Sequence, residues 1–113
     1  MTLYGIANCD NIKKTRAWLD SQGICYRFHD VRADGLEATR LAVWIRELGW
    51  QAVMNCRGLT WRKLTRDEKH NIDDAKALTL MLRYPALIKR PLLECGGRHV
   101  VGFDPQQIKA LCP

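Results

Sequence analysis

The start of the chain contains a strand, a helix and a second strand in immediate succession, and this order constrains the fold more than any other feature. Residues 2–7 form a short apolar run that is typical of a β-strand. Residues 10–22 are good helix formers that end at Gly23, and residues 24–31 alternate in character as a second strand does. A helix between two such strands implies that the strands are parallel and joined by a right-handed crossover.

The middle of the chain is predicted to be helical. A helix is expected over 36–48, because its apolar residues recur at helical spacing. They are Leu41, Trp44, Ile45 and Leu48. A second helix is expected over 73–83, with an apolar face that consists of Ala75, Leu78 and Leu82. Between them, "QAVMNCRGLTWRKL" is interpreted as a loop with a short helical turn.

The end of the chain predicts two strands and a helix. Strands are expected over 92–94 and 99–102, separated by a Gly-Gly turn. Asp104 and Pro105 are a typical N-cap and first residue of a final helix. The full order, β-α-β, helices, then β-β-α, predicts one α/β domain over 1–113. Its fold is thioredoxin-like, with a four-stranded mixed sheet and a helical insertion at about 36–88 between strands 2 and 3.

Charge and hydropathy narrow the classes of partner. The net charge is +6, which favours anionic ligands such as glutathione or oxyanions. The basic residues are dispersed, with no run longer than a pair, so nucleic acid is not expected as a partner. No apolar stretch reaches the roughly 20 residues that span a bilayer, and no secretory signal is recognised. We therefore expect a cytoplasmic protein with no membrane partner.

The cysteines argue against a structural metal or a disulfide framework. There are five, an odd number, and no two of them are separated by only two residues. The three histidines are isolated from one another and from the cysteines, so no metal site is predicted.

Cys9 is distinctive because it lies where the first strand ends and the first helix begins. The unpaired backbone N–H groups and the positive end of the helix dipole stabilise a thiolate at such a position. Only the thiolate is a competent nucleophile. Cys9 is thus the predicted reactive group, and the alternative is a small apolar residue that closes the strand.

Several stretches together make the chain resemble the arsenate reductase family of the glutaredoxin-coupled type, and most closely its small YffB-like subgroup. They are "YGIANCDNIKKTRAWL", "NCRGLTWRKL", "ALIKRPLLE" and "GFDPQQI". The resemblance extends over essentially the whole chain. It implies a thioredoxin fold, a single reactive cysteine, and glutathione as co-substrate without a tightly bound cofactor. Glutaredoxin is a further partner that it suggests.

The resemblance also assigns roles to individual residues. Arg57 and Arg90 match two active-site arginines that bind an anion and lower the pKa of the thiol. Pro91 matches the cis-proline that faces the active cysteine. Apart from the resemblance, Lys13 lies one turn after Cys9, and it is predicted with Asn8 to contact the substrate; a solvated helix residue is the alternative for Lys13. Cys56, beside Arg57, is left open as a thiol that could resolve a Cys9 adduct.

Three departures from the family pattern bear on the substrate. Gly5 stands where arsenate-reducing members have a histidine, and Gly102 lies about where the third arginine is expected. Ile12 stands where a CxxC motif would have its second cysteine, so a dithiol mechanism within this loop is excluded. We therefore expect a glutathione-dependent monothiol oxidoreductase. The alternatives are a non-catalytic regulator that binds a protein such as RNA polymerase, and a true arsenate reductase.

Overall fold

The computed structural model describes residues 1–112, which form two compact units. The sheet unit consists of Met1–Gly35 and the described part of Arg90–Pro113, and the helical unit consists of Leu36–Lys89. The fold is α/β with a four-stranded mixed sheet, which confirms the predicted thioredoxin-like class and the helices between strands 2 and 3.

The sheet unit contains four strands and two helices. The strands are β1 (Thr2–Gly5), β2 (Arg27–Asp30), β3 (Leu92–Cys95) and β4 (Arg98–Val101). The helices are α1 (Asp10–Ser21) and α7 (Pro105–Leu111). The strand order is β2-β1-β3-β4, in which β1 is parallel to β2 and antiparallel to β3, while β3 and β4 form a hairpin. The parallel β1–β2 pair with α1 between its strands confirms the predicted crossover.

The core of the sheet unit forms where α1 and α7 bury their apolar faces against the sheet. Its buried members are Leu3, Ile12, Leu19, Leu93, Val100, Ile108 and Leu111. The predicted start of α7 is confirmed, because the Asp104 carboxylate accepts the Gln107 backbone N–H at 3.2 Å, with Pro105 as the first helical residue.

The helical unit contains five helices and one 3-10 turn. They are α2 (Ala38–Leu48), α3 (Trp50–Val53), α4 (Leu59–Arg62), α5 (Arg66–Lys69), α6 (Asp74–Arg83) and the turn Pro85–Leu87. In α2 the predicted apolar stripe is buried, except that Leu48 is only half-buried. The sequence did not predict α5, which begins with a capping box between Thr65 and Glu68.

The apolar face predicted for α6 is wrong. Ala75 is exposed and Leu82 is 37% exposed, whereas a different set of side chains is buried. The buried residues of the helix are Ala77, Leu80 and Met81, which face α2, α3 and the 3-10 turn. Both sets follow helical spacing, so periodicity alone could not choose between them.

A disulfide joins Cys95 to Cys112, contrary to the expectation that these cysteines are unpaired. They lie 17 residues apart, a spacing that has no local signature, and the β3–β4 hairpin and α7 bring their Cα atoms to 6.0 Å. Within residues 1–112, no helix is long and apolar enough to cross a membrane.

Candidate functional site

Cys9 occupies the N-cap position of α1, where the chain leaves the loop after β1. Its backbone is extended, with φ −138° and ψ 128°, and its carbonyl accepts the Lys13 N–H at 2.9 Å as the first helical hydrogen bond. The thiol is half-buried, and in the described chain its sulfur accepts no capping hydrogen bond. This confirms the predicted strand–Cys9–helix junction and leaves the sulfur at the end of α1 that carries unpaired N–H groups.

Ile12 occupies the position of the second cysteine in a CxxC motif, and its side chain is fully buried in the core of the sheet unit. It also fills the space beside Gly5, since a Cβ at that position would collide with the Ile12 Cδ1 and Cγ1 atoms. Contact between Gly5 and Ile12 therefore links two departures from the family pattern, the missing histidine at position 5 and the missing second cysteine at position 12. A histidine at position 5 would require Ile12 to move, and Ile12 supplies packing in place of a resolving thiol.

Asp30, at the end of β2, holds the loop that leads to Cys9. Its side chain accepts three backbone N–H groups: Ala7 at 3.0 Å, Arg32 at 2.8 Å and Ala33 at 2.8 Å. Burial alone would raise the pKa of this carboxyl group. The hydrogen bonds from Ala33, Ala7 and Arg32, with the Arg32 charge, outweigh burial and lower the pKa below its ordinary value of 3.8. Asp30 is thus a buried anion that fixes the backbone two residues before Cys9.

No role for Asp30 was predicted from the sequence, although a signal was present. In the strand predicted over 24–31, Asp30 alternates onto the same face as Tyr26 and Phe28, and a carboxylate on such a face needs hydrogen-bond partners. Its partner Ala7 is 23 residues away in sequence, so the contact follows from the parallel pairing of β1 with β2.

Arg90 and Pro91 begin the second chain segment of the sheet unit, immediately before β3. The Arg90–Pro91 peptide bond is cis, as the resemblance predicted. Pro91 is buried, and its carbonyl accepts the Gly102 N–H at 2.8 Å. Gly102 has φ +93°, a conformation that side-chain-bearing residues rarely adopt. The backbone at this position therefore requires glycine where the family pattern has an arginine.

The polar residues next to Cys9 are exposed. Asn8 precedes it in the loop, and Lys13 lies one turn into α1. The neighbouring Lys14 ammonium instead lies over the Phe103 ring, 4.9 Å from its centroid. Asn8 and Lys13 are therefore accessible to a solute, and their role in binding stays a prediction.

Arg57 belongs to the helical unit, in the loop between α3 and α4. Its backbone N–H donates to Asn55 Oδ1 at 2.9 Å, while the Asn55 N–H donates to the Leu87 carbonyl at 2.7 Å. The side chain is exposed and lines a cavity of about 500 Å³ within this unit. The other lining residues are Trp50, Gln51, Met54, Asn55, Cys56 and Lys89. Two cations thus border one cavity, an arrangement suited to an anionic group.

Cys56 lines the same cavity, and its environment disfavours the thiolate. Burial raises the pKa of the Cys56 thiol above its ordinary value of 9.0, although the Lys89 ammonium acts in the opposite direction. The thiol lies 3.9 Å from the Met54 carbonyl, to which it donates a weak hydrogen bond. A group that stays protonated near neutral pH is a poor attacking thiol, so this environment does not favour the resolving role left open for Cys56.

The described residues hold no cluster of three His, Cys, Asp or Glu side chains that could bind a metal ion. The chemical group at the α1 N-terminus of the sheet unit is the Cys9 thiol. Asn8, Cys9, Lys13 and the Arg90–Pro91 pair all belong to this unit, while Arg57 belongs to the helical unit.

Solved structures of other proteins share this fold. The structure of the YFFB (PA3664) protein is 48% identical in sequence, with a TM-score of 0.94 over 99% of this chain and 98% of that one. The solution structure of an arsenate reductase (ArsC) related protein from Brucella melitensis is 46% identical, with a TM-score of 0.79 over 96% and 91%.

The global transcriptional regulator Spx of Streptococcus pneumoniae is 26% identical, over 100% of this chain and 86% of its own length. The relatives as a group support a thiol-based reductase and also include a regulator. The model of the ArsC family matches residues 4–111, nearly the whole sequence, and the chain belongs to the ArsC family.

Proposed function

We propose that this protein is a glutathione-dependent monothiol oxidoreductase in which Cys9 is the nucleophile. The observation that carries the proposal is the half-buried Cys9 thiol at the N-cap of α1, with Ile12 in place of a second thiol. Family membership supports a reductase, and the single sulfur in the loop requires an external thiol to complete the cycle.

The proposed reaction is a pair of thiol–disulfide exchanges. In the first, the Cys9 thiolate attacks the glutathione sulfur of a mixed disulfide, which forms a Cys9–glutathione disulfide and releases the substrate thiol. In the second, the thiolate of another glutathione attacks the glutathione sulfur of that adduct, which releases glutathione disulfide and restores Cys9. In total, one glutathione thiol is oxidised and the substrate sulfur is reduced to a thiol, while the glutathione sulfur of the mixed disulfide stays in a disulfide throughout.

The basic residues are proposed to bind the carboxylates of glutathione. Arg90 precedes β3 in the sheet unit, and Arg57 borders the cationic cavity of the helical unit with Lys89. A guanidinium group presents a planar pair of donors to a carboxylate. Asn8 and Lys13 would supply further contacts from the exposed side of the Cys9 loop, and Pro91 would border the bound peptide.

Steady-state reduction of a glutathionylated peptide tests the proposal, with glutathione as reductant and glutathione disulfide as the measured product. Turnover should exceed the rate without protein. Arg57→Ala and Arg90→Ala should each lower kcat/KM by about tenfold to a hundredfold, since each removes a charge-assisted contact. Arg46→Ala, which removes an exposed arginine of α2, should leave kcat/KM unchanged. A rate equal to the blank with correctly folded protein would refute the enzymatic proposal.

A second candidate function is a regulator that binds a protein partner such as RNA polymerase, and the similarity to Spx over the full chain favours it. The two proposals differ in what Cys9 does. A binding module would retain partner binding in Cys9→Ser and would show no turnover in the wild-type chain. An enzyme would show turnover in the wild-type chain and would lose that turnover in Cys9→Ser.

Arsenate reduction is the third candidate, and the Brucella melitensis relative supports it. Gly5 and Gly102 weigh against it, because Ile12 fills the space of a histidine and the backbone at 102 requires glycine. Arsenate-dependent consumption of glutathione measures this activity directly.

A further inference from the structure

The disulfide between Cys95 and Cys112 lies at the other end of the sheet from Cys9. Cys95 follows Glu94, which pairs with Thr2 at the start of β1, whereas Cys9 follows the end of β1 at Gly5. A four-residue strand is about 13 Å long, so the pair and the Cys9 loop lie at opposite ends of the sheet. Electrons therefore cannot pass between the two sites by direct contact of their sulfurs.

The disulfide fastens the C-terminal end of α7 to the sheet. Cys112 is the residue that follows Leu111 at the end of this helix, and Cys95 ends β3. The helix has seven residues and buries only Ile108 and Leu111, whereas isolated helices shorter than about 12 residues are marginal in water. The position of α7 thus depends on these two buried side chains, on its cap at one end and on the disulfide at the other.

The two sulfurs differ in their surroundings. Cys112 is exposed, while Cys95 is half-buried against the core of the sheet unit. Cys95 is the cross-strand partner of Arg98, so their side chains project from the same face of the hairpin with Cβ atoms about 5 Å apart. A cationic residue at the cross-strand position favours Cys95 as the departing thiolate, and exposure favours attack at Cys112. The Gly96-Gly97 turn between these strands adds no side chain that would shield the bond.

We propose that Cys95 and Cys112 form a second thiol–disulfide site, which exchanges with small thiols independently of Cys9 and releases the end of α7 when reduced. A small thiolate attacks the Cys112 sulfur, which forms a mixed disulfide there and releases the Cys95 thiolate. A second small thiolate attacks the outer sulfur of that mixed disulfide and frees Cys112. Two small thiols become one disulfide, and the protein disulfide gains two electrons and two protons.

Redox titration in glutathione buffers tests the first part. Wild-type and Cys9→Ser proteins are equilibrated at graded ratios of [GSH]² to [GSSG], quenched in acid, and analysed by mass spectrometry for free and bonded Cys95 and Cys112. The ratio of reduced to oxidised pair should change tenfold for each tenfold change in the buffer ratio, as a two-electron couple requires. Both proteins should give the same curve, because the site does not use Cys9.

Three results would overturn this part of the proposal: free thiols at every ratio, separate glutathione adducts on the two cysteines, or a bond that excess glutathione never reduces. Failure of turnover through Cys9 leaves this titration unaffected, so the two proposals fail separately.

Hydrogen exchange tests the consequence for the helix. Reduction should speed amide exchange in residues 106–112 about tenfold or more, without changing exchange in β1. Cys112→Ser should show the fast exchange at every ratio, whereas Cys25→Ser, which removes an exposed cysteine outside the pair, should behave as wild type. Equal exchange in both redox states would refute the release of α7.

The cationic cross-strand partner of Cys95 provides a further check. Arg98→Ala should slow reduction by glutathione about threefold or more, since it removes the positive charge from the residue that pairs with Cys95. Arg27→Ala removes the same net charge from β2, two strands away from β3, and should slow it less. Equal effects of the two substitutions would show that net charge, and not the position of Arg98, sets the rate.

Discussion

Replacement of Cys9 by serine should reduce the turnover of glutathionylated peptide by at least about a thousandfold, to the rate without protein. The hydroxyl group has nearly the shape of the thiol, but it is not ionised near neutral pH and cannot form a disulfide. No other thiol lies in the loop, because Ile12 replaces the second position of a dithiol motif. The measurement is the steady-state rate of glutathione disulfide formation.

Two variants serve as controls for this loss. Cys25→Ser and Cys56→Ser should both retain near-wild-type turnover. Cys25 follows the C-terminal end of α1, whereas Cys9 precedes its N-terminal end. The environment of Cys56 raises the pKa of its thiol and so disfavours the thiolate. A Cys9→Ser protein that keeps its secondary structure and also keeps its turnover would contradict the proposed nucleophile. Loss of turnover in Cys56→Ser, with turnover retained in Cys25→Ser, would indicate that Cys56 acts as a resolving thiol.

Replacement of Asp30 by asparagine should destabilise the protein by about 2–4 kcal/mol, because a buried group loses charge-assisted hydrogen bonds and acquires an unmatched amide. Asp30 is only 7% exposed and accepts three backbone N–H groups, one of them from Ala7 in the Cys9 loop. We therefore expect a lower midpoint of denaturation and a slower reaction of Cys9. The measurements are urea unfolding at pH 7 and the rate of Cys9 modification.

The same substitution should remove part of the pH dependence of stability. The Asp30 pKa is lower in the folded protein than its ordinary value of 3.8, so the carboxylate stabilises the fold fully above that value. This contribution is lost as the pH falls through the folded-state pKa. The free energy of unfolding of the wild type should therefore fall more steeply below about pH 4 than that of Asp30→Asn.

Asp20→Asn provides the matched control, because it removes an exposed carboxylate of α1. It should change the free energy of unfolding by less than about 0.5 kcal/mol, as surface substitutions generally do. Equal stability of Asp30→Asn and wild type at pH 7 would refute the role assigned to the buried carboxylate.

The sequence predicted those features that depend on neighbouring residues. Two helix starts were predicted from local residue patterns, and both are confirmed. They are the start of α1 after Cys9 and the start of α7 at Asp104 and Pro105. The order of strands and helices predicted the mixed sheet, because a β-α-β unit has one common handedness.

The features that it missed depend on contacts between distant parts of the chain. The role of Asp30 requires Ala7 to lie beside it, and the disulfide requires α7 to return to the end of β3. The face of α6 was wrong because two sets of apolar residues share helical spacing, and packing within the helical unit selected Ala77, Leu80 and Met81. Local patterns of residue type do not encode such choices.

The most direct test is to identify which sulfur first receives glutathione. Reduced protein is exposed briefly to glutathione disulfide, the remaining thiols are alkylated, and each cysteine peptide is quantified by mass spectrometry. Cys25 is the internal standard because it is the more exposed of the two thiols in the sheet unit that lie outside the disulfide. Glutathione should appear on half-buried Cys9 at least about tenfold faster than on Cys25, because Cys9 is the N-cap of α1, where backbone N–H groups are unpaired. Modification of Cys25 first, or of both at equal rates, would contradict it.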